Sequence, residues 1–378
     1  MRKTVRASAT STWRRALALA AVVSWGAVGC APTAASPALE AGSAAAVEAA
    51  QSARATTPGG TGGVNAPETL DKPYLVLVSF DGFRHDYLDL YATPSFDRVA
   101  ARGVAADALV PPYPSLTFPA HYTIATGLHP ERHGLVGNRF HDPARGAEYN
   151  YRDRANVEDG PWYGGEPIWV TAETQGMVAA AMLMVGTEAD IGGVRPTFWT
   201  RYADRGTHRE RVDEVLDWLA LPPGRRPHLV TLYFSSVDGA GHRTGPASPA
   251  VAEAVEQVDA DLGRLLDGID ALPHRGAVSV VLVSDHGMGA VRPGGMIDLS
   301  AAADLRGVRA VVTGPGANLF VAGGPARARA VRDDINDGPG GAGWPGGRAS
   351  LRNEVPAALR YRANPRIGDV VVVADPGF

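Results

Sequence analysis

The sequence predicts an α/β domain with a mostly parallel central sheet covered by helices on both faces. Three observations carry this. Short runs rich in Val and Leu recur at 74–80, 228–234 and 280–283, too short for helices and bounded by polar residues. Segments with apolar residues at helical spacing fall between those runs. Each run also leads into carboxylate or imidazole side chains: Asp81, Asp238 with His242, and Asp285 with His286. In parallel α/β sheets ligands bind beyond the carboxyl ends of the strands, where these residues fall.

The first thirty residues read as an export leader. Arg2, Lys3, Arg6, Arg14 and Arg15 precede an apolar stretch from Ala16 to Val28. At about 13 residues that stretch is shorter than the ~20 a membrane span needs. It ends in Ala27-Val28-Gly29-Cys30, which resembles the lipobox of bacterial lipoproteins, so lipidation at Cys30 and a cell-envelope or periplasmic location are expected. An ordinary signal peptide, cut within 31–35, is the alternative and gives a secreted protein. Cys30 is the only cysteine, so the chain forms no internal disulfide. Residues 31–71 are dominated by Ala, Ser, Thr, Gly and Pro and read as a disordered tether, because they bury too little apolar surface to offset the entropy of ordering. The folded domain is expected over 72–378.

Within it, Tyr74–Phe80 is the first strand. Thr93-Pro94 reads as an N-cap and first helical residue, with Phe96, Val99 and Ala100 on one face. Thr207 and Glu210 form a capping-box pattern ahead of Val212, Val215 and Leu219. Ser248-Pro249 opens a longer helix carrying Val251, Val255, Val258, Leu262, Leu265 and Ile269. The interval from Asp238 to His242, with Gly-Ala-Gly between, is read as a tight loop turning both side chains inward. A net charge of −4 and the absence of a basic run beyond the leader argue against binding to a nucleic-acid duplex.

A buried strand has no structural use for a carboxylate and an imidazole at its end, whereas a divalent metal does. Asp81, Asp285 and His286 can supply one ion, and Asp238 and His242 part of a second. Any one of these aspartates alone is more simply a cap or turn residue. Thr117, two residues before Pro119, falls at the start of a helix running to about Thr126. There the backbone N–H groups and helix dipole favour a phosphate or alkoxide, and a metal would activate the hydroxyl. Two readings stay open: Thr117 merely caps the helix, or Ser115 is the reactive hydroxyl.

Together these residues resemble the nucleotide pyrophosphatase/phosphodiesterase family of the alkaline phosphatase superfamily. The resemblance rests on Ser-Phe-Asp-Gly-Phe-Arg (79–84), Pro-Ser-Leu-Thr-Phe-Pro-Ala-His-Tyr (114–122), Thr-Gly-Leu-His-Pro-Glu-Arg-His-Gly-Leu-Val-Gly-Asn (126–138), Glu-Pro-Ile-Trp (166–169), the stretch 233–242 and Ser-Asp-His-Gly-Met (284–288). It implies an alkaline phosphatase-like α/β/α sandwich and a phosphodiesterase with two divalent metal ions, most simply Zn2+, acting on a small phosphodiester or nucleotide. Thr117 would be the nucleophile and pass through a phosphothreonine intermediate. Asp81, Asp285 and His286 would hold the metal that Thr117 joins, and Asp238 and His242 the other. Asn138 would hydrogen-bond a non-bridging phosphate oxygen, and Phe118 and Tyr233 would flank the esterified group; core packing is the alternative for both.

The family's third ligand to the second metal is a histidine in a His-Gly-Tyr-Asp-Asn-like segment, and no histidine follows His286 here. Two expectations follow: the sequence is a fragment, or the second site is incomplete and turnover is weak. Competing classes are a phosphomonoesterase of the same superfamily and a metal-containing binding protein without catalysis. A sulfatase is disfavoured, because the Cys/Ser-x-Pro-x-Arg context is missing. The lack of Lys or Arg from 103 to 131, around Thr117, favours diesters over monoesters.

Overall fold

The structure, a computed structural model, describes residues 62–338 and 346–378. The expected leader, Cys30 and most of the expected tether lie outside the described residues. Among the described residues eleven strands follow in chain order: β1 (Tyr74–Phe80), β2 (Arg139–Asp142), β3 (Ala147–Asn150), β4 (Ala179–Met182), β5 (Phe198–Trp199), β6 (Leu229–Phe234), β7 (Val278–Val283), β8 (Val308–Thr313), β9 (Gly316–Val321), β10 (Gly347–Leu351) and β11 (Val370–Ala374). A five-stranded sheet runs in the order β5-β4-β6-β1-β7, and every pairing in it is parallel.

Alternation along β1 and β6 sends side chains to two separate cores. Val76, Val78, Phe80, Val230, Leu232 and Phe234 point to one face. There they meet the helices α1 (Pro94–Arg102), α4 (His208–Ala220) and α6 (Pro249–Ala271). Leu77 and Leu229 point to the other face, toward Tyr122 and Ala125 of α2 (Thr117–Thr126) and Trp169 and Val170 of α3 (Ile168–Thr174). The expected sheet with helices on both faces is therefore the architecture observed. Between β6 and α6 lies α5 (Ser236–Thr244).

A second sheet, in the order β10-β11-β9-β8, is antiparallel throughout. The valine run at 370–374 belongs to it, and the helix α7 (Gly324–Asp337) packs on it through Ala328, Val331 and Ile335.

The local expectations divide. Thr207 and Glu210 form both bonds of the capping box, and Ser248 accepts from the Val251 N–H. Thr93, however, makes no side-chain cap. The carboxylate of Asp259, on α6, accepts from Ser95 and Phe96 N–H at 2.9 and 3.1 Å instead. A remote carboxylate thus caps α1, which also explains its own burial. The packed domain also begins upstream of the expected boundary at 71/72. Asn65 is buried and its amide bonds Pro223, Arg226 and Val178.

Candidate metal centre

Three strand ends meet at one place. Asp81 follows β1 directly, Asp285 lies two residues past β7, and Asp238 lies in the first turn of α5, after β6. The interval 238–242 is helical, not the expected tight loop. The correction has a simple reason: residues four apart on a helix share one face, so Asp238 and His242 are neighbours, with Nε2 3.3 Å from Oδ1.

The turn after β1 locks the group together. Gly82 has a φ of 67°, and a Cβ there would come within 2.9 Å of Asp238 Cα. Only glycine lets these two backbones approach so closely. The Gly82 N–H donates to Asp285 Oδ1 at 3.1 Å, and the Asp238 N–H donates to the Asp81 carbonyl at 3.1 Å.

His286 is held by its own loop, with Nδ1 2.9 Å from the Gly287 carbonyl. A carbonyl only accepts, so Nδ1 carries the hydrogen and Nε2 turns a lone pair to the site. That nitrogen lies 3.3 Å from Thr117 Oγ1, 3.4 Å from Asp81 Oδ1 and 3.1 Å from Asp285 Oδ2. Asp81 and Asp285 are 2% and 1% exposed. Among the described residues, Asp81 Oδ1, Asp238 Oδ1 and Asp285 Oδ2 are buried without a hydrogen-bond partner. Orphaned buried oxygens are costly, and several together beside an imidazole lone pair call for a cation.

The proton affinities carry the same signal. Burial, then the neighbouring Asp285 and Asp238 carboxylates, pushes Asp81 well above the ordinary carboxylate range. Burial also raises Asp238, against the opposing pull of His242 and His286. Burial acts to raise Asp285 too, but His121 and His286 beside it hold it low. Crowded buried carboxylates that resist ionising together fit a divalent ion that neutralises them. Potential ligand atoms form two overlapping groups, Asp81–Asp238–His286 and Asp81–His121–Asp285, each within 4.8 Å. The expected sets stay in contact alongside these groups: His286 Nε2 reaches both Asp81 and Asp285, and His242 Nε2 lies 3.3 Å from Asp238. Asp238 shares a group with Asp81, while the His242 side chain is 72% exposed and lies against Asp238.

Thr117 is the first residue of α2, and Leu116 occupies the N-cap position without a side-chain cap. The hydroxyl of Thr117 faces His286 instead of capping the helix. Ser115 is exposed. Asn138 Oδ1 accepts from the Phe118 N–H at 3.0 Å, which leaves its NH2 group as the donor for an incoming anion. Phe118 is half-buried, its ring 5.5 Å from that of Tyr151. Tyr233 departs from its expected contact with substrate. It is 6% exposed, and its hydroxyl donates to Asp81 Oδ2 at 2.5 Å. The sequence reading also gave His121, Ser79 and Tyr151 no role. The signal for His121 was its place four residues after Thr117, on the same helical face.

Fold and site together define the class: a parallel α/β domain with a candidate metal centre at the carboxyl edge of its sheet, next to a threonine at a helix start. Residues 75–378 match the family described as type I phosphodiesterase/nucleotide pyrophosphatase. The chain belongs to that family, within the alkaline phosphatase superfamily. It is 38% identical over 224 residues to human ectonucleotide pyrophosphatase/phosphodiesterase family member 1, covering 59% of this chain and 24% of the human protein. A pyrophosphatase/phosphodiesterase of Schizosaccharomyces pombe is 40% identical over 215 residues, covering 57% and 44%. The matched stretch thus spans less than half the length of these curated relatives. Murine ectonucleotide pyrophosphatase/phosphodiesterase 5 superposes with a TM-score of 0.74 at 28% identity, over 81% of this chain and 80% of that one. An inactive threonine-to-alanine form of that murine protein, in complex with AMP, superposes with the same score over 82% and 80%.

Proposed function

We propose that this chain is a phosphodiesterase that cleaves phosphodiester or nucleotide pyrophosphate bonds, with Thr117 as nucleophile. The observation that carries the reading is the gathering of three orphaned carboxylate oxygens around His286, whose Nε2 lone pair faces the Thr117 hydroxyl at 3.3 Å. Asp81, Asp238, Asp285, His286 and His242 would hold two divalent ions, and carboxylate with imidazole ligation outside the cytoplasm fits zinc. When bound, such ions lower the pKa of a hydroxyl or water and neutralise developing charge.

The residues supply the rest. Thr117 Oγ1 attacks phosphorus as the bond to the leaving oxygen breaks, and the departing alcohol takes up a proton. The phosphoryl group stays on Thr117 with its second ester intact. Water then displaces it, giving a monoester and the free threonine. The Asn138 NH2 donates to a non-bridging oxygen in both steps. Phe118 and Tyr151 offer an aromatic wall to the esterified group, and the murine relative's complex with AMP supports a nucleotide as substrate. Tyr233 would act on substrate through Asp81. Export and lipidation at Cys30 belong to the same proposal, and a Cys30→Ser variant released into the soluble fraction would support them.

Hydrolysis of bis-p-nitrophenyl phosphate against p-nitrophenyl phosphate, with and without added Zn2+, tests the reading. We expect zinc-dependent preference for the diester, lost in Thr117→Ala. A preference for the monoester would favour a phosphomonoesterase. Bound zinc with no turnover of either ester would favour a binding protein.

A further inference from the structure

We propose that His121 is a positioning residue and not a metal ligand: it braces Asp285 and the first turn of α2 against the end of β1. Only the turnover arm of its test rests on the hydrolytic reading above.

His121 is fully buried, and its ring nitrogens touch three separate elements. Nε2 lies 2.8 Å from Ser79 Oγ, near the end of β1. Nδ1 lies 2.9 Å from the Thr117 carbonyl in α2 and 3.1 Å from Asp285 Oδ2 past β7. The carbonyl can only accept, so Nδ1 carries the hydrogen and donates. A ligand needs a ring nitrogen with a free lone pair turned to the ion. Here Nδ1 is a donor to the Thr117 carbonyl and Nε2 is engaged with the Ser79 hydroxyl. Proximity alone therefore groups His121 with Asp81 and Asp285; the hydrogen-bond pattern places it behind them.

The Nδ1–H stands beside Asp285 Oδ2 but is aimed at Thr117, and that oxygen stays without a hydrogen-bond partner. The Gly82 N–H holds the other oxygen, Oδ1, at 3.1 Å, and the buried imidazole packs against Oδ2 at 3.1 Å while a lone pair of Oδ2 remains for the site. Tyr233 packs edge-on against the imidazole at 5.2 Å and donates to Asp81. The two most buried carboxylates of the site thus each have their own brace, Tyr233 for Asp81 and His121 for Asp285. Partners of this kind orient ligands, and their loss typically costs about 10–100-fold in metal affinity or activity.

The test compares His121→Asn with His121→Gln. The shorter amide can set its NH2 near the position of Nδ1, and the longer one reaches toward that of Nε2. Zinc binding is measured by competition with a chromogenic chelator, and turnover with bis-p-nitrophenyl phosphate. We expect the Gln variant to bind zinc about 10–100-fold more weakly and to lose kcat by a similar factor. KM should stay within about twofold and the zinc stoichiometry at saturation should not change, with Asn recovering most of both losses. Metal-free melting temperatures of the two variants separate brace from packing, since both amides fill much of the ring's volume. Loss of one zinc at saturation in either variant would make His121 a ligand and overturn the proposal. Unchanged affinity in the Gln variant, or equal losses in both, would also overturn it. A wild-type chain that turned over no diester would refute the hydrolytic reading alone, because the zinc titration still reads the brace.

Discussion

β1 and β7 lie side by side in parallel register, Tyr74 opposite Val278 and Ser79 opposite Val283, and both run into an aspartate. Their environments differ. Six of the seven residues of β1 are buried, whereas no residue of β7 is fully buried and Val281 is 43% exposed. The aspartates nevertheless end equally buried. Burial at the site is therefore not inherited from the strands. It comes from what closes over their ends: the turn at Gly82, the start of α2 with His121, and the first turn of α5. The strands set position, and the caps set the dielectric that makes carboxylates crowd.

The largest effects should come from the two ends, in spite of the difference between the strands. We expect Asp81→Asn and Asp285→Asn each to lower diester turnover by a factor on the order of 10²–10³, measured at saturating zinc. A much smaller loss for Asp285 would mean that the exposed strand carries a weaker half of the site.

A third buried titratable group extends the comparison. His133 is fully buried against Tyr122, and burial drops its pKa from 6.5 to about 3. Its hydrogen-bond partners are the Thr123 hydroxyl and the Leu135 N–H, not a carboxylate of the kind Asp285 gives His121. Because its folded pKa is depressed, its neutral form favours folding above about pH 6.5. Stability should fall as the unfolded chain takes up the proton below that, by roughly 2–3 kcal/mol between about pH 6.5 and pH 4.5. Urea unfolding across this range checks it, and His133→Gln should remove that part of the slope.

The strands themselves give the next contrast. Val78→Ala, at a fully buried position of β1, should cost about 2 kcal/mol, and Val281→Ala in β7 under about 0.5 kcal/mol. Equal costs by chemical denaturation would show that β7 is covered in solution. The last contrast concerns sign. Because Asp81 is held above its ordinary range, its ionised form opposes folding at neutral pH. Metal-free Asp81→Asn should then be slightly more stable than the parent, and added zinc should raise its melting temperature less.

What the sequence revealed follows from these same physical differences. The aspartates past β1 and β7 were legible because an ionisable residue at the end of a Val/Leu run is locally anomalous. The helix periods of α4 and α6 and their caps were legible because both signals lie within a few residues. Asp259 capping α1 was not, since its partners lie 164 residues away in the chain. The same holds for Asn65 tying the segment before β1 to the loop before β6. The helical geometry at 238–242 was masked by its glycines, whose low propensity argues for a loop that packing overrides. His121 was missed because its roles are set by Ser79 and Asp285, residues that only the folded sheet brings to it.

The central claim, that these strand ends serve a nucleophilic Thr117, is tested most directly by acid-quenching the zinc-loaded protein during turnover of bis-p-nitrophenyl phosphate and sequencing its peptides by mass spectrometry. We expect the p-nitrophenyl phosphoryl group on Thr117. Its appearance on Ser115, or turnover with no labelled peptide at any quench time, would contradict the account.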